Sequence, residues 1–251
     1  MRKRWICPIF LWGIVSLLAQ VRVPGPGGAS AAAPSTPTFV NLCSAQCSSP
    51  GAGCTATISS CNMSGATNLI AVEMASGNVA SNQISDSING TTGWNVWSAS
   101  CQGNGGSPNI CFHQNLAPSV SSSMNFSVTA DYAALYVLGF TNMATSSGTN
   151  QTNGAYGGAS SSPQSTGLIT PGAKGKVIVS GLGVWWGGGW LPSVALTNGT
   201  CVIPTGGYLT NNEQIGGICY VIQSSIANTA LWSGPWVATG VAAVIGSFNS
   251  K

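Results

Sequence analysis

Charge is what this sequence has least of. Its 251 residues include 7 Lys or Arg, 4 Asp or Glu and 1 His, so charged side chains make up 4% of the chain, where globular domains average roughly 25%. Recognition of nucleic acid through its phosphates needs clustered Lys and Arg, and that class of function is excluded. The lone histidine, His113, removes every catalytic arrangement that needs two imidazoles. No G-x-S-x-G elbow accompanies it, and it reads as a structural residue on a strand. Helix signals are missing as well: no stretch joins apolar spacing of three and four residues to caps at its ends. No internal repeat at a fixed period is visible either.

The few cations gather at the front. Arg2, Lys3 and Arg4 precede an apolar run from Trp5 to Ala19, and Pro24 to Gly28 break any helix that follows. This is the layout of a secretory signal, and Ala29-Ser30-Ala31 offers the small residues of a cleavage point, so residues 1–31 are expected to be a signal peptide. The apolar run is shorter than the roughly 20 residues that span a bilayer; a retained anchor is the weaker reading, and no membrane span is expected after cleavage. What remains sets Lys174, Lys176 and Lys251 against Glu73, Asp86, Asp131 and Glu213. Solubility then rests on Ser, Thr, Asn and backbone polarity rather than on ions.

Cleavage also removes Cys7 from the 9 cysteines, leaving an even number, which suits disulfides in an oxidising compartment. Cys43, Cys47, Cys54 and Cys61 form one group, Cys101 with Cys111 a second, and Cys201 with Cys219 a third. Bonds are expected within each group. Spacing leaves open the three pairings of the first four, and a tetrahedral zinc site is their rival reading, disfavoured by export. A secreted, extracellular or cell-surface location follows.

Residues 32–66 read as a Cys-rich extended segment and 67–251 as one domain. Within it, Met124 to Ala130 alternates apolar and polar residues, as a strand with one wet face does. Ala133 to Phe140 is apolar on both faces and belongs at a sheet centre, joined to its predecessor by a corner at Asp131-Tyr132. Further strands are expected at Asn68 to Ala75, Trp94 to Ala99, Asn109 to Asn115, Lys176 to Val184, Ser193 to Thr197, Gly217 to Gln223 and Trp236 to Phe248. Residues 144–167 read as a long loop of Ser, Thr, Asn and Gly, a kind that is mobile or functional. The fold class is all-β: an antiparallel two-sheet sandwich of jelly-roll type, stapled by disulfides.

Asn68-Leu69-Ile70-Ala71-Val72, Ile84 to Gly90, Gln114 to Ala117, the strand pair from Met124 to Phe140 and the closing Trp236 to Phe248 together resemble a broad family of secreted or phage-associated bacterial β-sandwich proteins, jelly-roll or concanavalin A-like, mostly without assigned activity. The resemblance covers roughly two thirds of the chain. It is to a scaffold and implies fold rather than function. The many cysteines and a Trp-rich loop depart from the family pattern.

That loop, Gly183-Val184-Trp185-Trp186-Gly187-Gly188-Gly189-Trp190, is the most distinctive feature. Indole faces are platforms for sugar rings and partners, and the surrounding glycines let a backbone present them. Trp185, Trp186 and Trp190 are therefore the candidate ligand-binding residues, against the plainer reading that one of the adjacent pair is core. Glu73 interrupts an apolar strand, where burial would raise its pKa and suit a general acid; with Glu213 it is the weak catalytic candidate of a glycan-cleaving enzyme. The plainer reading puts it on a wet strand face. Asp86 and Asn89 are weak calcium candidates, since Asp86 to Gly90 offers oxygen ligands without the full series of a calcium loop; Asn89-Gly90 is better read as a hairpin turn. No cofactor is expected. The leading expectation is a non-catalytic extracellular binding module, with polysaccharide or cell-surface glycan the favoured partner. The alternatives are a hydrolase or lyase using Glu73, and a structural subunit of a surface layer, filament or virion.

Overall fold

The computed structural model describes residues 35–48, 53–75, 84–96, 109–130, 132–146, 148–158, 163–172, 176–185, 191–210, 214–223, 227–235 and 240–251. They contain strands and no helix. In chain order these are β1 (Thr38–Ser48), β2 (Cys54–Cys61), β3 (Asn68–Ala75), β4 (Ser85–Asp86), β5 (Trp94–Val96), β6 (Asn109–Asn115), β7 (Met124–Ala130) and β8 (Tyr132–Thr141). They continue with β9 (Thr149–Gly158), β10 (Gln164–Ser165), β11 (Lys176–Trp185), β12 (Ser193–Leu196), β13 (Tyr208–Thr210), β14 (Gln214–Gln223), β15 (Ala230–Ser233) and β16 (Gly240–Asn249). The expected export segment and its cleavage point lie outside the described residues.

Every ladder is antiparallel, as expected, but there are four sheets instead of two. A first inner sheet runs β1-β8-β3-β6-β5 and a second inner sheet β13-β14-β11-β16-β9; a first outer sheet runs β2-β7-β4 and a second outer sheet β10-β15-β12. Three apolar clusters fix the layering. Ile70, Val72, Phe112, Tyr136 and Phe140 of the first inner sheet meet Val177, Val179, Ile218, Val244 and Phe248 of the second. On its other side the first inner sheet buries Leu69, Ala71, Leu135 and Val137 against Ala56, Ile58, Phe126 and Val128 of the first outer sheet. The second inner sheet likewise buries Ile178, Leu182, Val184 and Ile245 against Ala230 and Trp232. Inner strands covered on both faces must be apolar throughout, which is why β3 and β8 read as continuous runs while β7, with one wet face, alternates.

Two expectations about organisation change. Segment 32–66 is not an arm beside the sandwich: β1 forms an edge of the first inner sheet and β2 an edge of the first outer sheet. Its cysteines are nested, Cys47 to Cys54 inside Cys43 to Cys61, so both bridges tie β1 in one layer to β2 in the next. A third bridge joins Cys201 to Cys219. Cys111 is also disulfide-bonded; its expected partner Cys101 lies outside the described residues. Zinc is thereby displaced as the reading of the first four cysteines. The stretch expected to be a loop, 144–167, holds β9 and β10. Strand β9 pairs along its length with β16 alone, and an edge strand needs few apolar residues because one long side carries no ladder.

The correction with most consequence concerns repeats. Adding eight to each label of the first inner sheet converts β1-β8-β3-β6-β5 into β9-β16-β11-β14-β13, and β2-β7-β4 becomes β10-β15-β12, the orders of the second pair of sheets. One eight-strand unit is used twice. Counted from a bulge that both first strands share, Val72, paired with Tyr136 and Phe112, corresponds to Gly181, paired with Val244 and Ile218. That bulge falls at Val40 in β1, opposite Phe140 and Gly139, and at Asn150 in β9, opposite Phe248 and Ser247.

Candidate functional site

The first outer sheet presents its wet face to solvent. Thr55 and Thr57 of β2 and Asn125 and Thr129 of β7 are exposed, and Ser127 and Ser85 are half-buried beside them. Alternation places these side chains outward while Ala56, Ile58, Phe126 and Val128 point into the core. Thr57, Ser127 and Ser85 form a cross-strand row, and the Thr55 and Thr129 hydroxyls are 2.9 Å apart in hydrogen bond. Together with Ser87, Asp86 and the rim of Phe126, these strands line a cleft of about 280 Å³. Hydroxyls donate and accept alike, so the surface suits a neutral ligand that does the same.

Asp86 is the one carboxylate at this cleft, and its oxygens are occupied. Oδ1 accepts from the Ile88 and Asn89 amides at 2.9 and 2.6 Å and from Asn89 Nδ2 at 3.0 Å. Oδ2 accepts from Asn89 Nδ2 at 3.1 Å and from the Trp94 indole at 2.8 Å. A carboxylate ringed by N–H donors repels a cation from that site, which argues against calcium at Asp86 and Asn89. The group instead closes the hairpin whose turn ends at Gly90, at φ 62, in the left-handed region open to glycine. It also holds Trp94 edge-on to Phe126, with ring centroids 6.3 Å apart.

Glu73 is neither wet nor in a cleft. It is 0% exposed, as is His113, and Glu73 Oε2 lies 2.8 Å from His113 Nε2. The two project from β3 and β6 into the layer between the inner and outer sheets, where the pairing of Ala71 with His113 and of Glu73 with Cys111 makes them diagonal neighbours. His113 Nδ1 has no hydrogen-bond partner. A substrate cannot reach a carboxyl sealed between two sheets. Glu213, its suggested companion, lies outside the described residues. No group of three or more His, Cys, Asp or Glu side chains suited to a metal ion occurs among the described residues.

Of the aromatic candidates, Trp186 and Trp190 lie outside the described residues. Trp185 ends β11, half-buried, and packs edge-on against Tyr132 of β8 with centroids 4.5 Å apart. Trp185, the one of the three among the described residues, does not line the polar cleft. Sequence reading missed the cleft because single Ser and Thr residues on alternating strands carry no motif; the available signal was the run Cys54-Thr55-Ala56-Thr57-Ile58, whose alternation puts two hydroxyl side chains on one face.

Burial pushes the Tyr136 phenol well above its usual range, and it raises those of Tyr208 and Tyr220. These rings are structural and contribute no reactive group near neutrality. Among the described residues, no helix is long and apolar enough to cross a membrane. The three cystine bridges between described residues are compatible with an extracellular protein. Neither a protein-family model nor a curated protein matches the chain.

Proposed function

We propose that the protein is an exported, non-catalytic binding module that takes a neutral, hydroxyl-rich ligand, a carbohydrate, on the wet face of its first outer sheet. One observation carries this reading, and the second unit supplies it as an internal control. Where the cleft pairs Ser87 with Asn125, the second outer sheet, aligned so that buried Trp232 takes the place of buried Phe126, pairs Ala195 with Leu231, and Leu231 is 40% exposed. Ser85 and Ser127 recur as Ser193 and Ser233. The fold therefore does not require amide and hydroxyl groups at the first two positions, and their presence on one copy alone points to use rather than to folding. The sealed Glu73 removes the best acid for a glycan-cleaving alternative.

Glycan-array binding followed by titration tests the reading. The wild type is expected to bind a neutral polysaccharide, and Ser87→Ala with Asn125→Leu, which copies the second unit's surface, is expected to weaken that binding at least tenfold, the scale of one or two lost hydrogen bonds. Trp185→Ala is expected to leave it unchanged. Absence of binding to any glycan would end the carbohydrate reading, and loss through Trp185 alone would move the site to the aromatic corner.

A further inference from the structure

We infer that the chain is a fused duplication whose two units meet across a pseudo-two-fold axis between Val72 and Gly181, so that the face holding the molecule together is a dimer interface closed within one chain and now specific for the opposite unit. In a two-fold interface, a residue on the axis faces its own equivalent. The bulges opposite Phe140 and Phe248 make those two residues equivalent, the ladders counted from there make Val72 the equivalent of Gly181, and the two face each other: a Cβ built on Gly181 would lie 2.9 Å from Val72 Cγ1 and 3.0 Å from Ile110 Cδ1.

The neighbours show how symmetry was broken. Ile110 and Tyr136 of the first unit correspond to Gly216 and Val244 of the second. A Cβ on Gly216 would collide with the Tyr136 hydroxyl, and one on Gly246 would come within 3.1 Å of Phe112. Large residues of the first face thus enter space that glycines leave on the second. Two first faces would clash and two second faces would leave voids, so each unit fits the other and not itself.

Two further features recur in both units. Asn89 Nδ2 donates to Ser119 O at 3.0 Å, and Asn198 Nδ2 donates to Ala227 O at 2.7 Å, each clamping an Asn-Gly turn to the loop before the seventh strand of its unit. The start of the first unit and the end of the second meet at the joint between units: Lys251 N donates to Asn142 O at 2.9 Å and Asn142 Nδ2 to Thr36 O at 3.0 Å. Fusion of two copies requires such a meeting, because the end of each copy must lie near the start of the other.

Exchange across the axis tests the inference. Val72→Gly and Gly181→Val are expected each to lower the urea midpoint, one by opening a void and the other by overfilling the same space. The double variant, which moves the larger residue to the equivalent place on the other unit, is expected to recover more than half of the summed loss. Simple addition of the two losses, or a double variant that does not fold, would overturn the inference. A circular permutant of residues 35–251, opened between Ser146 and Gly148 and joined from Lys251 to Ser35 by a short linker, gives a second reading. It is expected to keep the parent's sheet signal and to melt within a few degrees of it; failure to fold would contradict the equivalence of the two joints.

Discussion

Leucine at position 73 should be more damaging alone than in company. Glu73 and His113 are both fully buried and 2.8 Å apart, yet the second unit places Leu182 and Cys219 at the equivalent positions of β11 and β14, so the fold has an apolar solution for this layer. Removing one member of a buried pair withdraws a partner from the other. His113→Leu leaves a carboxyl between two sheets and should cost about 3–5 kcal/mol. Glu73→Leu takes the carboxyl partner from a buried imidazole and should cost about 1–3 kcal/mol. The double Leu variant fills similar volume with no polar group and should lie within about 1 kcal/mol of the wild type, or above it. Urea unfolding of the oxidised protein, followed by circular dichroism and tryptophan fluorescence, reads these differences; at a slope of about 2–3 kcal/mol/M, the His113→Leu loss is a midpoint shift of roughly 1–2 M. Additive losses in the double variant, with coupling near zero, would refute the reasoning, as would a harmless His113→Leu.

Other outcomes follow from the same contacts. Asp86→Ala withdraws the acceptor for two backbone amides, an amide side chain and the Trp94 indole; a loss of about 2–4 kcal/mol is expected, with altered Trp94 fluorescence, and an unchanged melting curve would count against the hub. Calcium should leave the melting temperature of the wild type unchanged, and a rise on adding the ion would restore the metal reading of Asp86 and Asn89. Alkali should destabilise the fold. The phenols of Tyr136, Tyr208 and Tyr220 are raised by burial, so above the ordinary tyrosine pKa near 10 the unfolded chain releases protons that the folded one retains. Their contribution is fully present below about pH 10 and declines as pH rises beyond it; midpoints measured between pH 9 and 11.5 should fall, less so in Tyr136→Phe.

Much of the fold was legible wherever burial imposes a pattern. Strands β3, β6 and β7 match their expected bounds because two-sided burial or strict alternation marks them. Strands β1, β2 and β9 escaped because edges and thin outer layers accept Ser, Thr, Asn and Gly, which in sequence look like loop. The duplication escaped for a related reason. Packing constrains which face a side chain occupies and how much space the opposite sheet leaves, and those demands are met by Val72 in one unit and Gly181 in the other. What both copies keep is sparse: Ala134 with Ala242, Phe140 with Phe248, Ser85 and Ser127 with Ser193 and Ser233, and Asn89-Gly90-Thr91 with Asn198-Gly199-Thr200 are examples. The two Asn-Gly turns were visible, but only the topology shows them to be equivalents. The candidate site was less legible still, since the tryptophan run drew the eye while the polar cleft is assembled from three strands separated by long stretches of chain.

The account rests most heavily on the claim that the two outer sheets, alike in topology, differ in use. A single titration series against a bound glycan decides it, comparing Asn125→Leu on the first outer sheet with Leu231→Asn on the second. Weakened binding in the first and unchanged binding in the second is the expected result; equal effects from both, or none from Asn125→Leu, would contradict it.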